Sequence, residues 1–434
     1  MARVPRRRPE RRRPTVQPRA VEVAIDALGG LGDGIGHLPE GAVYVPYTVP
    51  GDRVLARIDG RRGDGLTGRL IEVLESGPAR VSPVCRHFAD CGGCALQHQD
   101  RPAHAEWKRD LLVRALSREG LGDAVAPLIA IAAGTRRRAA FAYVRRGRDT
   151  VLGFNAHLSH RVVEVVECPI LLPALVGLLP RLRPVLAAVT APGGSGDVVV
   201  TATEGGLDVL VEGEAALDLS GRESLAAFAA EADLARLSWR LPGREVEPLL
   251  RRRSPVVTMG GVAVEPPPGA FLQPSAEGER AIAALVLGAV AGASRVADLF
   301  AGCGSFTFPL AGAAAVHAVE GEAAALAALR AAADRDGLRV TAEWRDLTRR
   351  PLAGADLKRF DAVVFDPPRA GAAAQAQALA EAGPPVVVGV SCNPATLARD
   401  AATLTGGGYR LETVTPVDQF PWSPHLEAVA VFRR

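Results

Sequence analysis

From residue 270 to the C-terminus the hydrophobic pattern alternates between two periods. Short β-branched runs at 296–300, 315–319, 339–344, 362–365, 385–390, 409–417 and 428–432 read as buried strands. Helical stretches, 322–335 and 372–382 among them, lie between most of these runs. Such alternation predicts an α/β domain on a mostly parallel sheet, with its ligand site at the carboxyl ends of the strands. Residues 20–75 have a different rhythm: runs at 21–25, 42–47, 53–58 and 68–74 are separated by glycine-rich turns. They predict a small β-barrel of about five strands, a scaffold that often binds nucleic acid. The glycine run at 29–36 is assigned to loop geometry, because no helix or distal acid follows it as a nucleotide fingerprint requires.

Between these regions, residues 100–120 carry apolar positions at helical spacing (Trp107, Leu111, Leu112, Ala115, Leu116). Strand-like segments at 139–144, 152–154, 198–203, 207–212 and 256–259 predict an antiparallel sheet. Arginines 136–138 and Arg145, Arg146 and Arg148 flank one of its strands, either lining an RNA groove or simply solvated. The expected division is a basic disordered arm at 1–19, a barrel at 20–75, a central α+β domain at 80–265 and the α/β domain at 266–434.

Composition narrows the class. At 48% hydrophobic and 23% charged residues the chain is globular. The uncharged stretch 382–398 is broken by three prolines, whereas a spanning helix needs roughly 20 apolar residues. A cytoplasmic, monomeric protein with no membrane partner is expected. The overall charge of +3 conceals an asymmetry: residues 1–19 hold eight arginines against one glutamate, so the rest of the chain is slightly acidic. A basic arm on an acidic body points to a polyanion, with a solvated tail as the alternative.

Candidate chemistry lies in four stretches. In 386–400 an apolar run ends at Ser391, and Pro394 opens a helix. Cys392, in the turn between them, is placed where amides and the helix dipole favour an anion, so a depressed pKa and a nucleophilic role are expected. Asp298-Leu299-Phe300-Ala301-Gly302-Cys303-Gly304-Ser305-Phe306 ends a strand with a glycine turn, and Glu320 follows Asp298 by 22 positions. An acid at that distance accepts from ribose hydroxyls. The turn lacks the Gly-x-Gly-x-x-Gly of a pyrophosphate site, which favours S-adenosylmethionine; Cys303 is read as a turn residue. In Phe365-Asp366-Pro367-Pro368-Arg369 the prolines hold Asp366 at the lip of the sheet, able to accept from the cofactor's amino group or from a base. In 418–427, His425 and Glu427 alternate and are expected on one strand face, with Glu427 as a general base of raised pKa. Finally, Cys85, Cys91 and Cys94 follow Cys-x5-Cys-x2-Cys, and Cys168 is the natural fourth ligand. Four thiolates fit a [4Fe–4S] cluster or a structural zinc.

Ser-Cys-Asn-Pro-Ala-Thr-Leu-Ala-Arg-Asp at 391–400, Asp-Pro-Pro-Arg at 366–369, the 298–306 turn and His-Leu-Glu at 425–427 together resemble the RNA 5-methyluridine methyltransferase family. The cysteines resemble its iron–sulfur branch, the bacterial 23S rRNA uracil-5-methyltransferases, and residues 15–75 resemble that branch's TRAM β-barrel. The resemblance implies a Rossmann-like methyltransferase domain preceded by that barrel and a central α+β domain with an iron–sulfur site. It also implies Gln273, Phe300, Glu320 and Asp366 at S-adenosylmethionine, and methylation of carbon 5 of a uridine, in 23S rRNA, through a Cys392 adduct with Glu427 as base. Alternatives are the tRNA T-loop uridine, or an RNA-binding protein with an inactive methyltransferase domain. Pro368, Ser305 and Ser275 depart from the family's usual Ala, Asn and Asn.

Overall fold

A computed structural model describes residues 17–434. The arginine arm expected at 1–19 lies outside the described residues, except for its last three. The chain forms two compact units: one runs to Ser82 and includes Ala95–Asp100, the other comprises Pro83–Cys94 and Arg101–Arg434.

The first unit is a closed barrel of β1 (Arg19–Leu28), β2 (Gly34–Leu38), β3 (Gly41–Val45), β4 (Arg53–Arg62) and β5 (Gly65–Glu75), in the order β1-β2-β3-β5-β4. Alternate residues point inward, so Val23 and Ile25, Val43 and Val45, and Val54, Ala56 and Ile58 make the core. The second half of the glycine run, expected as loop, is strand β2. Glycine is needed there for close approach, since a Cβ on Gly36 would stand 2.3 Å from the carbonyl oxygen of Ala24. Closure leaves the small barrel no free edge.

The second unit contains two large sheets. It begins with α1 (Arg101–Ser117) and the two-residue strand β6 (Ile129–Ala130). A seven-stranded sheet follows, built from β7 (Arg138–Arg146), β8 (Asp149–Asn155), β9 (Val162–Glu164), β10 (Ser195–Thr203), β11 (Gly206–Gly213), β12 (Arg236–Arg240) and β13 (Val246–Arg251). Its order is β13-β12-β11-β10-β7-β8-β9, antiparallel except for the parallel pair β11–β12. The strand expected at 256–259 is not part of it; β14 (Val257–Met259) pairs with β15 (Val262–Val264) in a separate ribbon. Two helices the pattern had not indicated, α2 (Pro173–Val189) and α3 (Leu219–Glu231), cover this sheet through Leu175, Leu179, Leu182, Leu225 and Phe228. Pro180 and Pro184 lie inside α2 on its exposed side, where carbonyls left without an amide partner face water.

The C-terminal sheet is built from β16 (Arg295–Leu299), β17 (Ala315–Glu320), β18 (Val340–Trp344), β19 (Ala362–Phe365), β20 (Val386–Ser391), β21 (Arg410–Asp418) and β22 (Glu427–Arg433). With β6 at its edge the order is β18-β17-β16-β19-β20-β22-β21-β6. The first five strands are parallel, and β22 runs antiparallel to both of its neighbours. Helices cover both faces, as a buried parallel sheet requires. One face carries Val363 and Phe365 under α1, α7 (Ala373–Ala382) and α8 (Pro394–Gly406). The other carries Val296, Val316 and Val364 under α4 (Ala276–Ala289) and α5 (Thr307–Ala311), with α6 (Ala323–Arg335) on Ala318. Residues 101–131, read from sequence with the central domain, pack on this sheet through Leu112, Leu116, Val125 and Ile131. Among the described residues no helix is long and apolar enough to cross a membrane.

Two glycines test the packing in opposite directions. Gly389 pairs with Phe365, whose ring would stand 2.8 Å from an added Cβ. Gly389→Ala is expected to cost about 1–3 kcal/mol by overpacking. Gly177, exposed within α2, would meet nothing within 4 Å. There alanine is expected to stabilise by about 0.5–1 kcal/mol through helix propensity. Thermal and denaturant unfolding of the two variants checks both signs.

Candidate active site at the carboxyl ends of the strands

Strand order alone sets out the site. Glu320 ends β17, Phe300 follows β16, Asp366 follows β19, Cys392 follows β20, and Glu427 begins the reversed strand β22. These strands are adjacent in the order β17-β16-β19-β20-β22. At about 4.8 Å per strand, the five residues form a row about 19 Å long across one lip of the sheet.

At one end lies the glycine turn. Phe300 has a left-handed φ of 62°, costly for a residue with a Cβ, and Gly302 and Gly304 follow at φ 56° and 107°. A Cβ on Gly302 would meet nothing within 4 Å, so this backbone faces open space. Glu320 accepts the Gly302 N–H on one carboxylate oxygen (2.8 Å) and the Glu322 N–H on the other (2.7 Å). Each oxygen keeps a lone pair for a further donor. Beneath the turn Asp298 is fully buried and accepts the Thr307 hydroxyl at 2.5 Å. Burial, and then the charges of Asp366 and Glu320, push its pKa up to about 7. Cys303 is buried in the turn, as expected.

In the middle of the row Asp366 accepts from Gln273 Nε2 at 3.3 Å, and Gln419 Nε2 donates to Gln273 Oε1 at 2.7 Å. Burial raises the Asp366 pKa to about 7. Gln419 had not been singled out from the sequence. Ser275, one of the departures from the family pattern, caps α4 by accepting the Gly278 N–H. Ser305, another, donates to Glu279.

At the other end Cys392 and Glu427 meet. Ser391 pairs with Ala428 in the antiparallel ladder, so the next residues outward, Cys392 and Glu427, stand side by side. Both line a cavity of about 230 Å³, whose wall includes Arg136, Arg138, Phe271, Phe420 and His425. Glu427 is 4% exposed, and its Oε2 is buried without a hydrogen-bond partner. Burial, and then the Asp366 charge, hold its pKa well above the ordinary carboxylate range, the expected direction. His425 precedes β22 and does not alternate with Glu427 on it; it accepts from Arg369 at 3.3 Å.

The expected depressed pKa of Cys392 is not found. Burial, and then the charges of Glu427 and Asp366, push the thiol up to about 11, with Arg369 opposing. Two of the amides at the turn are engaged elsewhere, and the Cys392 N–H is the smallest of the influences on the thiol. Asn393 Oδ1 accepts the Ala395 N–H at 3.1 Å, and Ser391 Oγ accepts the Asn393 N–H at 3.2 Å. Burial and the neighbouring carboxyls therefore favour the thiol form of Cys392.

The arginines at 136–138 divide by role. Arg137 is buried, paired with Glu279 at 2.9 Å and donating to the Gln273 carbonyl at 3.2 Å, so it belongs to the interior and not to an RNA groove. Arg136 and Arg138 reach the cavity. Arg145 ties a turn to the Thr190 and Gly147 carbonyls, while Arg146 and Arg148 are exposed.

The four cysteines expected as metal ligands lie in the same unit. The 85–94 loop is stitched to the β8–β9 hairpin: the Gly92 N–H donates to Asn155, Cys91 bridges Ala156, and the Val166 N–H donates to His87. This brings Cys91, Cys85 and Cys168 within electrostatic range. The Cys91 thiol is pushed up first by burial, then by Cys168 and Cys85. Amide N–H groups of Ile170 and Leu171 reach Cys168, and Gly93 N–H reaches Cys91 Sγ at 3.4 Å. No cysteine forms a disulfide. Among the described residues no group of three or more His, Cys, Asp or Glu is placed to hold a metal ion.

Comparison with known proteins shows the family and the fold. The model of the tRNA (uracil-5-)-methyltransferase family matches residues 262–434. An uncharacterized RNA methyltransferase of Brucella suis is 48% identical over 417 residues, covering 95% of this chain and 98% of the relative. The 23S rRNA (uracil(1939)-C(5))-methyltransferase of Alkalilimnicola ehrlichii is 36% identical over 444 residues, 98% of this chain and 99% of its own. The crystal structure of Pyrococcus abyssi tRNA (uracil-54, C5)-methyltransferase in complex with S-adenosyl-L-homocysteine shares the fold at a TM-score of 0.74. It is 23% identical and covers 95% of this chain and 100% of that one. A row of cofactor-type and nucleophile-type residues on a Rossmann-like sheet, in a chain matched along almost its whole length by RNA methyltransferases, places this protein in the RNA uracil-5-methyltransferase family.

Proposed function

We propose that this enzyme methylates carbon 5 of a uridine in 23S rRNA through a transient bond between Cys392 and the base. The observation that carries the reading is the register that sets Cys392 beside Glu427 in one cavity, with Arg136 and Arg138 in its wall. The relative matched at 36% over almost the whole chain is a 23S rRNA enzyme, which favours rRNA over the tRNA T-loop.

S-adenosylmethionine, when bound, supplies an electrophilic methyl group. The glycine turn fits it: the backbone at Gly302 faces open space, Glu320 keeps acceptor capacity for hydroxyls, and Asp366 and Gln273 present polar atoms farther along the row. Phe300 adds an aromatic surface. The Cys392 thiol gives its proton to solvent water, and its sulfur attacks carbon 6 of the uracil, moving an electron pair toward carbon 5 and carbonyl 4. Carbon 5, now nucleophilic, takes the methyl group as the bond from that group to the sulfonium sulfur breaks and leaves a neutral thioether. Glu427 removes the proton from carbon 5, the ring double bond re-forms, and the Cys392 sulfur is expelled. The base must leave its stack to enter the cavity, at a cost of a few kcal/mol. Arg136 and Arg138 offset this by contacting phosphate.

The four cysteines are assigned to a [4Fe–4S] cluster. The donor set fits: thiols held by one stitched loop and by Cys168, with N–H groups on Cys91 and Cys168.

Cys392→Ala is expected to abolish methylation and covalent capture by 5-fluorouridine RNA while RNA binding stays unchanged. Glu427→Gln is expected to accumulate a methylated, SDS-stable RNA–protein adduct, and rapid turnover by that variant would remove Glu427 from its role. Because Glu427 titrates well above the ordinary ~4.3, its carboxylate form is gained only as pH rises, so kcat on a rRNA fragment should climb with pH well above the range in which a free carboxylate titrates. A profile flat from pH ~5 upward would contradict that. Anaerobically purified protein should be brown with broad visible absorbance, and Cys168→Ser should bleach it; stoichiometric zinc in a colourless preparation would overturn the cluster assignment.

A further inference from the structure

Helix α1 lies outside the region matched by the family model, yet one stripe of it grips the loop that ends at Glu427. Arg101, His104 and Lys108, spaced by three and four residues, share a helix face. Lys108 is fully buried, and its Nζ donates to Asp418 Oδ1 at 2.5 Å and to the Phe420 carbonyl at 2.8 Å. The same carboxylate oxygen accepts the Phe420 N–H at 3.0 Å, so Lys108 and Asp418 together fix the first turn of the loop. His104, also buried, approaches Asp418 at 3.9 Å and bonds the backbone at Ser423. The Arg101 guanidinium lies over the Trp422 ring, 5.6 Å from its centroid. Trp422 has a left-handed φ of 59°, which a bulky residue keeps only when its surroundings hold it there.

What the stripe holds is catalytic wall. Gln419 bonds Gln273, which bonds Asp366. Phe420 and His425 line the cavity, and the next strand opens with Glu427. Burying an ammonium and a carboxylate together is a poor source of stability compared with apolar packing. Its directional bonds, by contrast, fix a loop geometry that apolar contacts would leave free to slide.

We propose that Lys108 is a positioning residue: through Asp418 and the Phe420 carbonyl it sets the 419–426 loop so that Glu427 reaches the proton on carbon 5. The inference rests on the covalent reading given above. Loosening the loop misplaces the base while leaving Cys392, at the end of β20, able to attack. Variants therefore stall after methyl transfer, with the ring still bonded to the Cys392 sulfur.

The test uses the full-length enzyme and an unmodified rRNA fragment, with steady-state kinetics, SDS gels for adduct and thermal melting. Lys108→Met should lower kcat by about 10- to 100-fold, the scale of an ångström misplacement. KM for RNA should move much less, and a methylated SDS-stable adduct should accumulate. Lys108→Arg should recover part of kcat. Asp418→Asn, isosteric and a second route to the same loop should Lys108→Met fail to fold, should show the same adduct. A folded variant with unchanged kcat, or one losing kcat and RNA affinity together without adduct, overturns the proposal. Capture of wild type by 5-fluorouridine RNA separates the two levels. No capture brings down the covalent reading and this proposal with it, whereas capture without adduct in the variants brings down this proposal alone.

Discussion

The antiparallel pairing of β20 with β22 is the constraint on which the site depends. In a wholly parallel sheet, the strand after β20 would present its carboxyl end at the lip, and its first residue would lie at the opposite edge. Reversal brings the first residue of β22, Glu427, to the lip beside Cys392, the residue that leaves β20. The ladder hydrogen bonds fix this pairing to the residue, because a slip of one position would turn Val429 and Val431 away from α4 and set Ala428, Ala430 and Phe432 in their place. The hydrophobic alternation of one strand thus sets the distance between a nucleophile and an acid.

The electrostatics follow from that proximity. Asp298, Asp366 and Glu427 are all pushed up first by burial, and the Asp366 charge adds to the rise at Asp298 and at Glu427. The same field pushes the Cys392 thiol up, so the resting site holds protons where an isolated view of the turn places a thiolate. A thiol that ionises only as it attacks is protected from oxidation between turnovers. Arg369, which opposes the rise, lies within the Asp-Pro-Pro-Arg segment that also supplies Asp366.

Much of the architecture was legible from periodicity. The seven strands of the C-terminal sheet were visible because each is a short β-branched run bounded by turns, and the barrel because its core positions alternate. α2 was hidden by Pro180 and Pro184, residues that ordinarily end helices but here sit on the solvent side. β2 was hidden because Gly34 and Gly36 read as a turn, although the barrel needs them where strands approach closely. β6 has two residues and so no period to detect. The arginines at 136–138 looked alike, and only the fold sends Arg137 to Glu279 and its neighbours to the cavity.

By itself the sequence marked the candidate residues, because thiols, carboxylates and glycine turns at strand ends stand out in such company. It also determined the class of domain, since burial on both faces of a parallel sheet demands unbroken apolar strands. The tertiary structure alone decided the protonation state of Cys392, because a pKa is set by neighbours from distant strands and not by the local turn. It alone decided that α1, some 300 residues upstream of Glu427, holds the loop before it. Contacts of that separation leave no trace in a local pattern, because the pattern records which face of a helix is apolar and not what its buried polar stripe will meet.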